Sequence, residues 1–221
     1  MTFHIITIFP HIFDSYFNES ILKRAQTKGR IKIKIHDLRD YTNDRHKSVD
    51  DSPFGGGAGM VMKVEPIYKS LRDLKLKVKS KKLKVILLSA KGKKWDQQLA
   101  KNYSKLDNVI LICGRYEGVD ERVVEFIDEE VSIGDYVLTG GEIPAMAIVD
   151  SIARLLPDVL GNKESAVDES HSSPGILEYP QYTRPEIFID NDDQERKVPP
   201  VLLSGNHGEI EKWRKNNNKK T

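Results

Sequence analysis

The chain has 221 residues, of which 38% are hydrophobic and 31% charged, and its net charge is only +2. This composition is typical of a globular protein, and the length suffices for one large domain or for one domain with a small second domain. The single cysteine excludes a disulfide framework, and no apolar stretch is long enough to span a membrane, so we expect a cytoplasmic protein.

The beginning of the chain is typical of a β-strand and not of a signal peptide. Residues 3–9 are mostly apolar, and the first ten residues have neither a basic start nor small cleavage-site residues. Residues 12–28 have a helical pattern that Gly29 should end, and residues 31–36 alternate isoleucine with lysine as a half-buried strand does.

A polar loop, residues 37–60, follows that strand, and its second part (residues 44–60) is the glycine-rich loop. It is not a P-loop, because no Gly-Lys-Ser/Thr closes it, nor a dinucleotide fingerprint, because it does not open a helix. We predict that its backbone and neighbouring side chains contact the substrate through Arg45, His46, Asp50, Gly55, Gly56, Gly57 and Gly59. In the alternative, His46 is an ordinary loop histidine and Asp50 a turn residue. The chain has no His or Cys cluster at ligand spacing, so we expect no structural metal site.

Helices and apolar strands alternate through the middle of the chain. Expected helices are residues 65–74, 95–103, 119–127 and 142–156, and expected strands are residues 83–88, 108–112 and 131–133. This alternation of strands and helices predicts an α/β fold, with an open and mostly parallel sheet and helices on both of its faces.

The composition of the chain changes after Pro157. Residues 161–185 lack periodicity and are rich in Ser, Glu, Pro and Tyr, and a final helix through Ile210 and Trp213 follows later. We therefore predict a catalytic domain at residues 1–160, a linker at residues 161–185 and a short C-terminal domain at residues 186–221.

Charges are sorted along the chain despite the small net charge. Residues 69–94 carry eleven lysines and arginines against one acid, whereas residues 115–135 carry eight acids against two arginines. A lysine-rich face and a lysine-rich tail would attract a phosphate backbone, although such runs also serve only to solvate a surface.

Two glycine-framed turns follow predicted strands. The first glycine run is Cys113-Gly114-Arg115-Tyr116-Glu117-Gly118, and the second is residues 132–144, Ser-Ile-Gly-Asp-Tyr-Val-Leu-Thr-Gly-Gly-Glu-Ile-Pro. Such turns present backbone groups at the carboxyl ends of strands, where open α/β sheets bind ligands. In the alternative, both are simple loop corners. Cys113 ends a buried strand without a basic partner, so we interpret it as a core residue.

Taken together, these stretches resemble the bacterial tRNA (guanine-37-N1)-methyltransferases of the SPOUT, trefoil-knotted, class. The resemblance rests on Ile6-Thr7-Ile8-Phe9-Pro10, the glycine-rich loop, both glycine runs, Tyr182-Thr183-Arg184-Pro185 and residues 198–205, and it covers nearly the whole chain. It implies a deep trefoil knot that holds S-adenosylmethionine, whereas topology rules alone predict an unknotted sheet. The cofactor-binding residues it implies are Leu87, Ser89, Gly114, Tyr116, Glu117, Gly118, Ser132, Ile133, Gly134, Asp135, Tyr136, Val137, Leu138, Gly140, Gly141 and Pro144. Gly134 and Gly140 are expected to let the backbone, at positive φ, approach the cofactor.

The chemistry of that family makes specific demands on side chains. Guanine N1 is protonated at neutral pH, so methylation needs a base at N1 and a donor for the charge that builds on O6. The resemblance matches the donor to Arg154 and the base to the acid before a Ser-His pair. In Asp168-Glu169-Ser170-His171 that acid is Glu169, where the family has aspartate, and Asp168 stands one residue earlier, so both acids stay open as the base.

The chain departs from the family pattern in two further places. The usual Ser-Pro-Gln-Gly is Ser89-Ala90-Lys91-Gly92, and the helical C-terminal domain is short and truncated, ending soon after Trp213, which could weaken the grip on tRNA. The resemblance also implies a homodimer with the active site at the subunit interface, and a Mg²⁺ requirement. The alternatives are a knotted methyltransferase acting on ribosomal RNA or a ribose hydroxyl, and a catalytically weakened RNA-binding homologue.

Overall fold

The computed structural model describes residues 1–161, 169–173 and 175–220. The chain divides into two compact units, Met1–Gly161 and Asn162–Thr221. Within the described residues no helix has the length and apolar character that a membrane crossing requires.

The first unit is an α/β structure. Its strands are β1 (Thr2–Thr7), β2 (Lys32–Asp37), β3 (Asp50–Asp51), β4 (Val61–Met62), β5 (Leu83–Lys94), β6 (Asn108–Cys113) and β7 (Glu129–Ser132). Its helices are α1 (Asp14–Phe17), α2 (Ser20–Thr27), α3 (Val64–Lys77), α4 (Gln97–Tyr103) and α5 (Glu142–Ala153), with 3₁₀ helices at Pro10–Phe13, Leu38–Tyr41 and Glu121–Phe126. Five strands form one sheet in the order β2-β1-β6-β5-β7, and every neighbouring pair is parallel. The predicted fold class is confirmed.

Alternate side chains of the central strands enter two separate cores. On β1, Phe3 and Ile5 pack with α2, α4 and α5 on one face, whereas Ile6 packs with α3 on the other. On β6, Leu111 packs in the same core as Phe3, and Ile110 packs in the same core as Ile6. Because successive strand residues point to opposite faces, a continuous apolar run buries both faces of a parallel sheet. Helices therefore cover both sides, as predicted.

Three predicted elements differ in the structure. The single helix expected at residues 12–28 is divided into a 3₁₀ helix, α1 and α2, with Ser20 at a φ of +46° between the last two. The helix expected at residues 119–127 is instead the 3₁₀ helix Glu121–Phe126, which the Asp120 side chain caps by accepting from the Arg122 backbone N–H. Apolar periodicity does not distinguish these tight turns from an α-helix.

The third difference is the length of β5. It continues to Lys94, and both Leu88 and Lys93 pair with Val131 of β7 because the residues between them bulge out. A Cβ on Gly92 would collide with the Val131 backbone N. The bulge therefore depends on a glycine at its tightest point.

The second unit contains β8 (Ile176–Leu177), β9 (Ile187–Ile189), β10 (Glu195–Lys197), α6 (Pro200–Leu203), α7 (His207–Asn217) and β11 (Lys219–Lys220). Helix α7 is the predicted final helix. The antiparallel ribbons β9–β10 and β8–β11 were not predicted, because strands of two or three residues show no detectable period. The ring of Trp213 packs edge-on against Tyr179 and Tyr182, with centroids 6.4 and 6.2 Å away.

Candidate functional site

A cavity of about 470 Å³ opens where β6 and β7 end and β5 bulges. Its lining consists of residues 87–91, 114–121, 130–134 and 136–141, together with Val124 and Pro144. Both glycine runs thus border one space at the carboxyl edge of the sheet, where parallel sheets bind ligands. The lining includes every residue for which we predicted cofactor contact except Asp135, whose carboxylate is exposed and pairs with Lys94 Nζ at 2.6 Å.

The two glycine runs are joined by their backbones. The Gly141 N–H donates to the Gly114 carbonyl at 2.9 Å, and Arg115 forms an antiparallel bridge with Gly140. A Cβ on Gly141 would lie only 2.6 Å from Cys113 Cα. The runs can therefore pack this closely only because a side chain is missing at that position.

The reason for glycine at positions 134 and 140 differs from our expectation. Neither residue has a positive φ. The space that a Cβ would need is filled by the Tyr136 ring at Gly134 and by the Arg115 side chain at Gly140. Sequence reasoning could not distinguish the two causes, because side-chain crowding comes from residues placed by the fold.

A buried ion pair lies beside the cavity. Glu142, the first residue of α5, is 1% exposed and accepts from Arg115 Nε at 2.9 Å and from Thr7 Oγ1 at 2.8 Å. Arg115 NH1 also donates to the Thr139 carbonyl at 3.2 Å, and the guanidinium lies 4.6 Å from the centroid of the Phe9 ring. Both carboxylate oxygens are thus satisfied. Loss of either charged partner would cost about 3–5 kcal/mol, because it leaves a buried charge uncompensated.

No role was predicted for Thr7, Arg115 or Glu142. Glu142 was placed only at the start of an expected helix, and Thr7 only in a strand and in one of the stretches that carry the family resemblance. A buried thiol completes this region: burial, reinforced by the Glu142 carboxylate, raises the pKa of Cys113 well above its usual range. The thiol stays protonated, which agrees with our interpretation of Cys113 as a core residue.

The cavity lining is more acidic than basic. Its acids are Glu117, Asp120, Glu121 and Glu130, and its bases are Lys91 and Arg115. A hydrogen bond from Lys91 Nζ to Glu121 at 2.8 Å, helped by the charge of Glu130, raises the pKa of Lys91. Both bases are engaged by carboxylates, so the lining presents a net negative charge to a ligand.

The glycine-rich loop adjoins the first glycine run at its base. Strands β3 and β4 pair as a hairpin, the Glu117 N–H donates to the Met60 carbonyl at 3.0 Å, and the Met62 N–H donates to the Gly118 carbonyl at 2.9 Å. The hairpin tip needs its glycines, because Gly55, Gly56, Gly57 and Gly59 all have positive φ. None of the residues predicted to contact substrate lines the cavity, and Arg45 and His46 are exposed.

Arg154, one of the predicted catalytic residues, is not among the residues that line the cavity. Arg154 is the C-cap of α5, and its N–H donates to the Asp150 carbonyl at 3.1 Å. Helix α5 lines the cavity at Pro144, and at 1.5 Å per residue Arg154 is about 15 Å further along the axis. Glu169 belongs to the second unit, in a turn where the Ser172 N–H donates to its carbonyl at 3.0 Å. Asp168 lies outside the described residues.

This fold and this site are those of an α/β protein with a cavity between glycine-rich loops at the carboxyl edge of a parallel sheet, the edge at which such sheets bind small ligands. A family model described as tRNA (Guanine-1)-methyltransferase TrmD matches residues 1–221. The chain belongs to that family.

Individual relatives agree with the family match. The chain is 56% identical over 211 residues to a tRNA (guanine-N(1)-)-methyltransferase of Dictyoglomus turgidum. The alignment covers 96% of this chain and 82% of that protein. It is 51% identical over 216 residues to the Clostridioides difficile protein of the same name, with 97% and 91% covered. The crystal structure of the tRNA (m1G37) methyltransferase from Aquifex aeolicus superposes with a TM-score of 0.78 at 40% identity, covering 96% of this chain and 87% of that one.

Proposed function

We propose that this chain transfers the methyl group of S-adenosylmethionine to N1 of guanine 37 in the anticodon loop of tRNA. The observation that carries the proposal is the single cavity that both glycine runs border, in a chain that belongs to the TrmD family over its whole length. A base in an anticodon loop is unpaired or nearly so, and its extrusion into a pocket therefore costs little.

The cavity is our proposed cofactor site. When bound, S-adenosylmethionine supplies an electrophilic methyl group on a sulfonium centre. Its sulfonium and ammonium groups outnumber its carboxylate, so the ligand is a net cation and suits an acidic lining. The backbone groups of both glycine runs would hold the polar edges of the ligand. The trefoil knot implied by the resemblance remains a proposal of the same kind.

The catalytic roles follow from the demands of guanine N1. We assign Arg154 to donate hydrogen bonds to O6, where negative charge develops, and Glu169 or Asp168 to accept the N1 proton. The glycine-rich loop, through Arg45, His46, Asp50 and its glycines, is our proposed contact with the substrate.

We further propose a homodimer whose active site joins the cavity of one subunit to residues of the other. What supports this is the length of α5, along which Arg154 lies about 15 Å from Pro144, the residue of that helix that lines the cavity. A second copy could bring its own Arg154 to the cavity. In this arrangement residues 1–160 bind the cofactor, residues 161–185 supply the base, and residues 186–221 help to bind the tRNA. We place the protein in the cytoplasm.

The Mg²⁺ requirement finds no ready protein site. No group of three or more His, Cys, Asp or Glu side chains able to hold a metal ion occurs among residues 1–161, 169–173 and 175–220. Mg²⁺ commonly takes one or two carboxylates and otherwise water or substrate oxygens. A metal at this site would complete its coordination with water or with oxygens of the RNA or the cofactor.

The Glu169 departure favours one second candidate, a catalytically weakened RNA-binding homologue. A transfer assay with methyl-labelled S-adenosylmethionine, a tRNA carrying G37 and a matched tRNA carrying A37 separates the possibilities. We expect label only in the G37 tRNA, recovered as 1-methylguanosine after nuclease digestion. Label on a ribose, or in ribosomal RNA supplied in a parallel reaction, would contradict the proposal. Binding of the G37 tRNA in a filter-binding assay without methyl transfer would support the weakened homologue.

Replacement of Gly140 by valine tests where the cofactor binds. The valine side chain would push Arg115 aside and disturb both glycine runs, so S-adenosylmethionine affinity, measured by calorimetry, should fall by about tenfold or more. Gly161→Val is the matched control, because no heavy atom of the described residues beyond its chain neighbours lies within 4 Å of the added Cβ, and its φ is not positive. A folded Gly140→Val protein with unchanged affinity would contradict the placement.

A further inference from the structure

We propose that Arg115, held by the buried carboxylate of Glu142, is a positioning residue that locks the two glycine runs together and so sets the shape of the cofactor cavity. This inference rests on the proposed function, since it takes the cavity to be the S-adenosylmethionine site.

The Arg115 side chain contacts groups from two other parts of the chain. Its Nε donates to Glu142 at the start of α5, and its NH1 donates to the Thr139 carbonyl in the second glycine run. Its guanidinium also lies over the Phe9 ring, just beyond β1. Since the arginine itself stands in the first glycine run, it ties both runs to the sheet and to α5.

Glu142 is in turn fixed from the other side. Thr7 Oγ1 donates to Oε1 of Glu142 at 2.8 Å and also accepts the Phe9 N–H at 3.0 Å. The carboxylate is 1% exposed and cannot turn toward water instead of Arg115. The guanidinium therefore has a defined place, and a planar fork held at two edges moves little.

The position of Arg115 affects the cavity directly. Its side chain fills the space beside Gly140, and both residues line the cavity. If the guanidinium leaves, the Thr139 carbonyl loses its donor and the turn at residues 139–141 loses the atoms packed against it. The turn would then drift from the position in which its backbone meets the cofactor.

The same residue connects the cavity to the hairpin. The Arg115 backbone N–H donates to Met62 Sδ at 3.2 Å, and Met62 bridges to Val119 on the far side of the first glycine run. Arg115 thus contacts four residues, Glu142, Thr139, Phe9 and Met62. For this reason we assign the positioning role to Arg115 and not to the exposed Arg122.

The test uses the full-length protein and separates cofactor affinity from chemistry. We would compare Arg115→Ala, Arg115→Lys, Glu142→Gln and Thr7→Val by calorimetry with S-adenosylmethionine, by melting temperature, and by single-turnover transfer to tRNA at saturating cofactor. Arg115→Ala and Glu142→Gln should weaken cofactor binding by about tenfold or more, since loss of either partner leaves the other charge buried and unpaired and frees the turn whose backbone meets the cofactor. The rate at saturation should stay within about threefold of wild type.

The milder variants give graded outcomes. Arg115→Lys keeps the charge opposite Glu142 but lacks the fork that also reaches Thr139, so it should recover only part of the affinity. Thr7→Val keeps the ion pair and should weaken binding by about threefold, the scale of one modest hydrogen bond. Arg30→Ala, which removes an exposed pair with Asp158, is the control and should bind normally.

Two results would overturn the proposal. The first is a fall in melting temperature with wild-type affinity in Arg115→Lys and Thr7→Val, which would leave the network a purely structural role. The second is a loss of rate at saturation as large as the loss of affinity, which would place Arg115 in the chemistry. If wild type binds S-adenosylmethionine but does not methylate the G37 tRNA, the proposed function fails while the comparison of affinities still decides the role of Arg115.

Discussion

The Glu169→Gln variant should lose about a hundredfold or more of the single-turnover methyl-transfer rate, because glutamine keeps the shape of the side chain but cannot accept the N1 proton. The rise of rate with pH that deprotonation of the base controls should disappear as well. Asp168→Asn, the matched change one residue earlier, should behave nearly as wild type. Rates would be measured by rapid quench with saturating cofactor and tRNA over a range of pH.

A third variant makes the assignment sharper. Glutamate is one methylene longer than the family's aspartate, so on this proposal the longer side chain sets the distance at which the loop brings the carboxylate to N1. Glu169→Asp should therefore be slower than wild type although it restores the family's residue type. A fully active Glu169→Asp together with an inactive Asp168→Asn would show that Asp168 is the base.

Replacement of Arg154 by alanine should lower the transfer rate by about a hundredfold to a thousandfold, the usual cost of losing a donor to developing oxyanion charge. Cofactor affinity should hardly change, because the proposed contact of Arg154 is with O6 of the guanine and not with S-adenosylmethionine. Arg154→Lys should recover only part of the rate, since lysine lacks the planar fork.

The control for the arginine is again Arg30→Ala, an exposed arginine at the amino end of the sheet that pairs with Asp158 at 2.7 Å. Its rate and affinity should match those of wild type, and the melting temperature of Arg154→Ala should confirm a folded protein. Equal losses of affinity and rate in Arg154→Ala would make Arg154 a structural residue or a cofactor contact and not the donor to O6.

Patterns that depend on near neighbours in the chain determined the architecture. The apolar runs of β1 and β6 predicted buried parallel strands, because a strand covered on both faces needs hydrophobic side chains at consecutive positions. The glycine runs could be placed at the carboxyl edge of the sheet for the same reason, since each follows a predicted strand directly. Turn chemistry is local as well, and the glycines of the glycine-rich loop do adopt positive φ.

Contacts between distant residues were decided only by the tertiary structure. Thr7 and Glu142 are 135 residues apart, and no local pattern pairs them with each other or with Arg115. The same holds for Gly140, whose need for glycine comes from the arginine beside it and not from its own φ. Local periodicity determined which segments form strands, whereas the path of the chain between them determined which side chains meet, because burial and charge pairing act on neighbours in space.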